Sequence, residues 1–284
     1  MRVSLNRRSN HLLRDIVMQL RTLLVLALIT AYVLPYLGQG YDFRSRFAIA
    51  FNAWGAFACA VSNARILLVC FAGYVLLLSD LPCFSSVNTY EVIRSSRRSL
   101  MPVRVLAILK LTVLYIAILF ALFSILGGCT DFDFNRWDKI HYSYAHGQII
   151  DDLYMDAPAA VILNYTPLTA FMLSVTLLAL VFAGMGMLLL FGTMLFPAKK
   201  AVFTGVCVLA GLDMAIDDMG FGYRMYLYSP LSYARLSIIE AHDTNAYYPS
   251  KEQIVLVALL IFIAMAAGCV LFPVRRRLGY LNVK

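Results

Sequence analysis

Residues 47–78 read FAIAFNAWGAFACAVSNARILLVCFAGYVLLL, an apolar run whose strongest polar interruption is Ser62, Asn63 and Arg65. As one helix it would reach roughly 48 Å at about 1.5 Å per residue, well over the roughly 30 Å hydrocarbon core of a bilayer. It must therefore tilt strongly, or begin as an interfacial segment around residues 53–55. Arg65 lies deep in the run under either arrangement. An arginine at mid-membrane depth is costly, which makes it a functional candidate by default. Asn63 joins it as a candidate for a substrate path. A structural ion pair, within the chain or between subunits, is the competing reading.

The rest of the composition agrees with a bilayer. Of 284 residues, 61% are hydrophobic and only 14% charged, whereas soluble domains sit nearer half apolar and a quarter charged. The net charge of +8 raises nucleic acid as a partner, but the placement of the charges argues against it. The six cysteines are far apart and mostly within apolar runs, with no C-x-x-C spacing, so neither a disulfide framework nor a zinc site is indicated.

Outward from the long run, the pattern predicts an all-α polytopic membrane protein with six transmembrane helices. Residues 1–22 alternate Leu5, Leu12, Leu13, Ile16, Val17 and Leu20 with Arg7, Arg8, Arg14 and Arg21. That spacing describes an amphipathic interfacial helix whose arginines face anionic lipid. The apolar run continues without a small-residue cleavage site, so this helix is expected to remain in the mature fold. The six-span domain then covers 23–284, with spans at 23–37, within 47–78, and at 105–126, 168–196, 201–216 and 254–274. Pro167 should start the fourth span, in which Gly184, Gly186 and Gly192 permit close helix approach. Outer loops occupy 127–160 and 217–250. The second holds YRMYLYSPLSYARLSIIE (223–240), too aromatic for an ordinary loop, and reads as short re-entrant helices broken at Ser229 and Pro230. Such backbone survives at membrane depth only when buried in protein or lining a cavity.

Sixteen of the 24 Lys and Arg fall on the side of the termini, seven on the other, with Arg65 between. The positive-inside rule then places both termini in the cytoplasm and the protein in the plasma membrane, in accord with an even number of spans.

The longest polar segment on the cytoplasmic side is 79–104, SDLPCFSSVNTYEVIRSSRRSLMPVR. Asn88 followed by Glu91 is a capping-box spacing. The helix it opens should run over 89–98 and stop ahead of Pro102. Arg94, Arg97 and Arg98 would then complement the negative end of its dipole. A docking helix and a solvated, positive-inside loop both fit these residues.

Chemistry of other kinds is hard to place. The chain has no G-x-x-x-x-G-K-[ST], no H-E-x-x-H and no G-x-S-x-G, so no catalytic residue is assigned and no nucleotide site is expected. His141 and His146 with Asp131, Asp133, Asp138 and Asp151 match no metal spacing, and a solvated acidic loop is the expectation. Asp213 and Asp217, one helical turn apart at the outer end of the fifth span, read first as interfacial carboxylates and second as part of an exit path.

The interfacial N-terminal helix, the SDLP…YEVIRSSRRS loop and the short helices around YSPLSYA together resemble the membrane subunit of an ABC-2-type ATP-binding-cassette transporter. The resemblance covers nearly the whole chain through layout and loose motifs. It implies that Tyr90, Glu91, Arg94, Arg97 and Arg98 belong to a coupling helix seated in a separate ABC ATPase, which would bind ATP and Mg. It also implies a second membrane subunit, identical or related, and export of a cargo. The family's usual long extracellular domain is missing here, which leaves the cargo class open. The alternative is an ion- or proton-coupled secondary transporter. Such carriers pair ionisable groups near the midplane. The sequence offers Arg65 for that role with no evident buried carboxylate beside it.

Overall fold

The computed structural model describes residues 20–47, 50–79, 97–147, 158–195, 199–220 and 223–240, with scattered helical positions between 252 and 267. The interfacial helix over 1–19, the 80–96 part of the cytoplasmic loop and most of the sixth span lie outside the described residues. Among those described, regular structure is helical apart from one isolated bridge between Asn52 and Asp131.

The long helices are α1 (Leu20–Phe47), α3 (Ala64–Ser79), α4 (Arg97–Leu126), α7 (Pro167–Leu195) and α8 (Lys199–Met219). Shorter ones are α2 (Ala53–Ser62), α5 (Lys139–Ala145), α6 (Ala159–Asn164) and α9 (Leu236–Glu240), with 3₁₀ turns at Tyr223–Tyr228 and Ser232–Ala234. Two helices, Pro102–Leu126 and Pro167–Thr193, are long and apolar enough to cross a membrane, and α2 with α3 makes a third if that bent pair counts as one span. These are the apolar helices of a membrane protein.

Several expected boundaries move. The apolar part of α1 is Thr22–Gly38, yet the helix continues to Phe47 with Pro35 inside it. Pro102 likewise lies within α4: among the described residues the helix that holds Arg97 and Arg98 runs on through it instead of stopping ahead of it. A proline inside a helix forfeits a single backbone bond, which the 25-residue apolar stretch behind it outweighs. The fifth apolar segment does not stop at 216: α8 carries Asp217 and Asp218 as well.

The run 47–78 is not one tilted helix: a separate short helix begins at Ala53, within the 53–55 stretch expected to open an interfacial segment. The run breaks at Asn63 into α2 and α3, bent by 89°. Asn63 leaves helical geometry at φ −81° and ψ 123°, and its N–H closes α2 on Ala60 O. Its side-chain oxygen then accepts from the Arg65 and Ile66 N–H groups, capping α3. One residue thus ends one helix and begins the next.

The helix α2, AWGAFACAVS, is apolar all round and buried along nearly its whole length, as an enclosed helix should be. Trp54 stacks on Phe120 (5.2 Å) and meets Phe171 edge-on (4.8 Å); Phe57 contacts Phe120, Phe123 and Phe171. It therefore lies across the end of the bundle where α4 finishes and α7 begins. Deeper down, Tyr74, Tyr115, Phe71 and Phe182 form an aromatic core, tied by Tyr74 to Thr112 (2.7 Å) and by the Tyr115 hydroxyl donating to Cys70 O (2.6 Å). Gly186 is needed there: a Cβ would stand 2.8 Å from Ile108 Cγ2 and 3.0 Å from the Tyr74 hydroxyl. Gly192 meets Val202 as closely, whereas Gly184 faces open space.

Candidate functional site

Among the described residues, five charged side chains meet near where α2 breaks into α3: Arg65, Asp213, Asp217, Asp218 and Arg235. The last carbonyl of α2, Ser62 O, has no partner along its own helix. It accepts from Arg235 Nε at 2.8 Å and from the Ser237 hydroxyl at 3.4 Å. A cation there also meets the negative end of the helix dipole. The same guanidinium reaches α8: Arg235 Nη1 donates to Asp213 Oδ2 at 3.2 Å and to Asp217 Oδ2 at 2.9 Å. The Tyr226 hydroxyl donates to the other oxygen of Asp217. Arg235 is thus a clasp among three elements, the end of α2, the C-terminal part of α8 and the 223–240 segment that carries it.

That segment takes its shape from local chemistry. The 3₁₀ turn stops at Ser229 and Pro230, and the buried Ser232 hydroxyl donates to Tyr226 O and Ser229 O, both at 2.6 Å. The expected short helices broken at Ser229 and Pro230 are therefore present, and they pack back on the bundle. Glu240, buried at the end of α9, accepts from Asn164 Nδ2 (3.0 Å) and the Tyr165 hydroxyl (2.6 Å).

Arg65 lies at the break of the bent pair α2–α3. Because the helix breaks at Asn63, Arg65 is the second residue of α3, its side chain 60% exposed and paired with Asp218 at 2.9 Å. Asn63 beside it is the cap described above. Asp213 and Asp217 share one face of α8 as expected, but Asp213 is fully buried rather than interfacial. Tyr90, Glu91 and Arg94 lie outside the described residues; Arg97 and Arg98 are placed in the backbone only. Arg235, Asp218 and Tyr226 escaped the sequence reading. The available signal was a lone arginine following an aromatic, apolar 3₁₀ segment, which must find carboxylates or an orphaned helix end.

The segment 127–147 forms a lid on α2 in which Asp138 and His141 are buried, while Asp133, Arg136 and His146 are exposed as a solvated loop would leave them. Asn52 caps α2 through Oδ1 to the Trp54 and Gly55 N–H groups, while its Nδ2 donates to Asp133 O (2.8 Å) and Arg136 O (3.2 Å). Its own N–H donates to Asp138 Oδ2 at 2.9 Å. Asp138 in turn caps α5 and contacts His141 Nδ1 at 2.7 Å, both side chains sealed from solvent beneath Phe51 and Trp137. Among the described residues no group of three or more His, Cys, Asp or Glu side chains is placed to hold a metal.

This pair makes the lid pH-sensitive in a definite sense. Burial alone would raise the Asp138 pKa, but the charge and hydrogen bonds of His141, with the Asn52 N–H, hold it below the ordinary value. Burial alone would lower the His141 pKa, yet the Asp138 carboxylate and the nearby Cys59 carry it well above the ordinary value. A depressed carboxylate contributes stability above its unfolded pKa, about 3.9, and loses it as pH falls through the folded value. A raised histidine contributes below its unfolded pKa, about 6.5, and loses it as pH rises through the folded value. Protection from hydrogen exchange over 131–147, taken relative to the intrinsic rate at each pH, should therefore be greatest between those limits and fall toward both acid and alkali. Asp138→Asn should flatten both limbs, because His141 then loses its counter-charge; a profile unchanged by that substitution would remove the pair from the lid's stability.

The chain matches no family model, no curated protein and no solved structure.

Proposed function

We propose that this chain is the membrane subunit of an ATP-driven ABC exporter of the ABC-2 type. Six helices would cross the plasma membrane with both termini in the cytoplasm, alongside a second membrane subunit and separate ATPase subunits that bind ATP and Mg. The observation that carries the reading is the 223–240 segment. In place of a free loop it forms short helices around YSPLSYA that fold back onto the break between α2 and α3, held there by Arg235. Re-entrant outer helices ahead of a last span are what the layout calls for, and irregular backbone of this kind needs protein around it to sit at membrane depth. Two further features support the reading. Residues 196–198 are all that separate α7 from α8, too short a connection to transmit a domain motion. The chain also lacks a phosphate-cradling loop, so ATP must act through a partner docked elsewhere, and 79–104 is the polar segment long enough to receive it.

The test addresses that docking segment. Tyr90 and Arg94 offer an aromatic anchor and a charge, and such anchors are each worth a few kcal/mol at an interface. Tyr90→Ala combined with Arg94→Ala should reduce pull-down of the ATPase encoded beside this chain, or uncouple its hydrolysis from transport in reconstituted membranes. Insertion should be unaffected, since neither position lies in a span. Unchanged binding together with unchanged coupling would remove the segment from the mechanism.

One observation favours a second reading. The sequence shows no buried carboxylate partner for an intramembrane arginine, whereas the structure places Asp213 and Asp217 on Arg235. Paired ionisable groups at a broken helix are also the construction of ion- or proton-coupled carriers. Transport that survives ATP depletion but collapses with a protonophore would select that reading.

A further inference from the structure

At the clasp, two carboxylates meet one guanidinium, and the two are not equally satisfied. Asp213 and Asp217 stand one turn apart on α8 and share Arg235 Nη1, at 3.2 and 2.9 Å. Asp217 is the more exposed of the two and also accepts from the Tyr226 hydroxyl. The Asp213 side chain is 1% exposed, and its Oδ1 is buried with no hydrogen-bond partner. The other charges nearby are placed elsewhere. Arg65, from α3, pairs with Asp218 on α8. Helix α7, which packs along α8, carries no ionisable side chain in its sequence. From the 3₁₀ turn come Arg224, which is exposed, and Tyr226, which donates to Asp217.

Burial and an adjacent like charge both disfavour the ionised form of a carboxyl, and of the two Asp213 is the one that is sealed from solvent with an oxygen left unsatisfied. We infer that Asp213 is a proton-binding carboxyl that takes up a proton at Oδ1 and exchanges it when the 223–240 segment lifts from the bundle. With the proton bound, Arg235 is left to Asp217 and Ser62 O; without it, all three attachments hold the segment down. The inference concerns the carboxyl itself and stands whether transport is driven by an ATPase or by an ion gradient.

Dicyclohexylcarbodiimide is a direct probe, because it adds to protonated carboxyls in apolar surroundings. The carboxyl oxygen bonds to the central carbon of the reagent, the proton passes to its nitrogen, and nothing leaves. The unsubstituted full-length protein, folded in nanodiscs, is labelled across a pH series and its peptides are analysed by mass spectrometry. One adduct is expected on Asp213, falling about tenfold for each pH unit above its titration point. Arg235→Gln, which removes the cation that favours the ionised form, should raise labelling at neutral pH. The inference is overturned by no adduct on Asp213 at any pH, by labelling independent of pH, or by an adduct confined to Asp217 or Asp218. None of these outcomes depends on an ATPase, so a failure here is distinct from a failure of the permease reading.

Discussion

Arg235→Ala is expected to release the 223–240 segment from the bundle, with a loss of about 3–5 kcal/mol, the usual cost of deleting one partner from a buried ion pair. The cost is high because three attachments go at once. Ser62 O keeps only the long bond from the Ser237 hydroxyl, and the buried Asp213 is left without its cation beside Asp217. Arg235→Lys should recover only part of this, since a single ammonium cannot present the guanidinium fork to a carbonyl and two carboxylates together. Combining Arg235→Met with Asp213→Asn should restore more than either change alone, because the uncompensated charge disappears with its partner. Hydrogen exchange over 223–240 and thermal unfolding in detergent both report on this. Protection of that segment in Arg235→Ala equal to the unsubstituted protein would mean that its apolar contacts, Leu231, Leu236 and Ile239 among them, suffice without the clasp.

Asn52→Ala should be comparably severe at the other end of α2. The side chain makes four hydrogen bonds, two to the first N–H groups of the helix and two to carbonyls of the lid. Loss of an N-cap costs about 0.5–2 kcal/mol, and the two part-buried lid carbonyls, on exposed Asp133 and Arg136, add less than a fully buried unpaired group would, about 1–3 kcal/mol. Asn52→Asp separates the two roles: it keeps the cap but turns the donor into an acceptor facing the carbonyls of Asp133 and Arg136. The aspartate should therefore protect the start of α2 while still loosening 131–147. An aspartate variant with an intact lid would show that the cap alone gives Asn52 its importance.

These two residues bracket what each level of structure contributed. The sequence by itself determined the membrane class, the all-helical content and the start of α7 at Pro167. It also placed the break at Ser229 and Pro230, because apolar content and proline chemistry act locally. The one-turn spacing of Asp213 and Asp217 was equally legible, since helical periodicity requires no partner. The apolar run 47–78 was legible in part: a separate start around 53–55 was, the sharp turn at Asn63 was not. Hydropathy averages over a window and treats Asn63 as a minor polar interruption. Its actual effect, ending one helix and capping the next, depends on whether neighbouring groups satisfy the two freed helix ends. Those groups are distant in sequence: Arg235 closes the end of α2 from 173 residues away, and Asp138 reaches the Asn52 N–H from 86. The same distances explain the errors over individual charges. Arg235 read as one more outer charge, and Asp138 and His141 read as solvated. Tertiary structure decided each of these, because the burial of a charge is fixed by the partner that folding brings to it, and neither spacing nor composition encodes that partner.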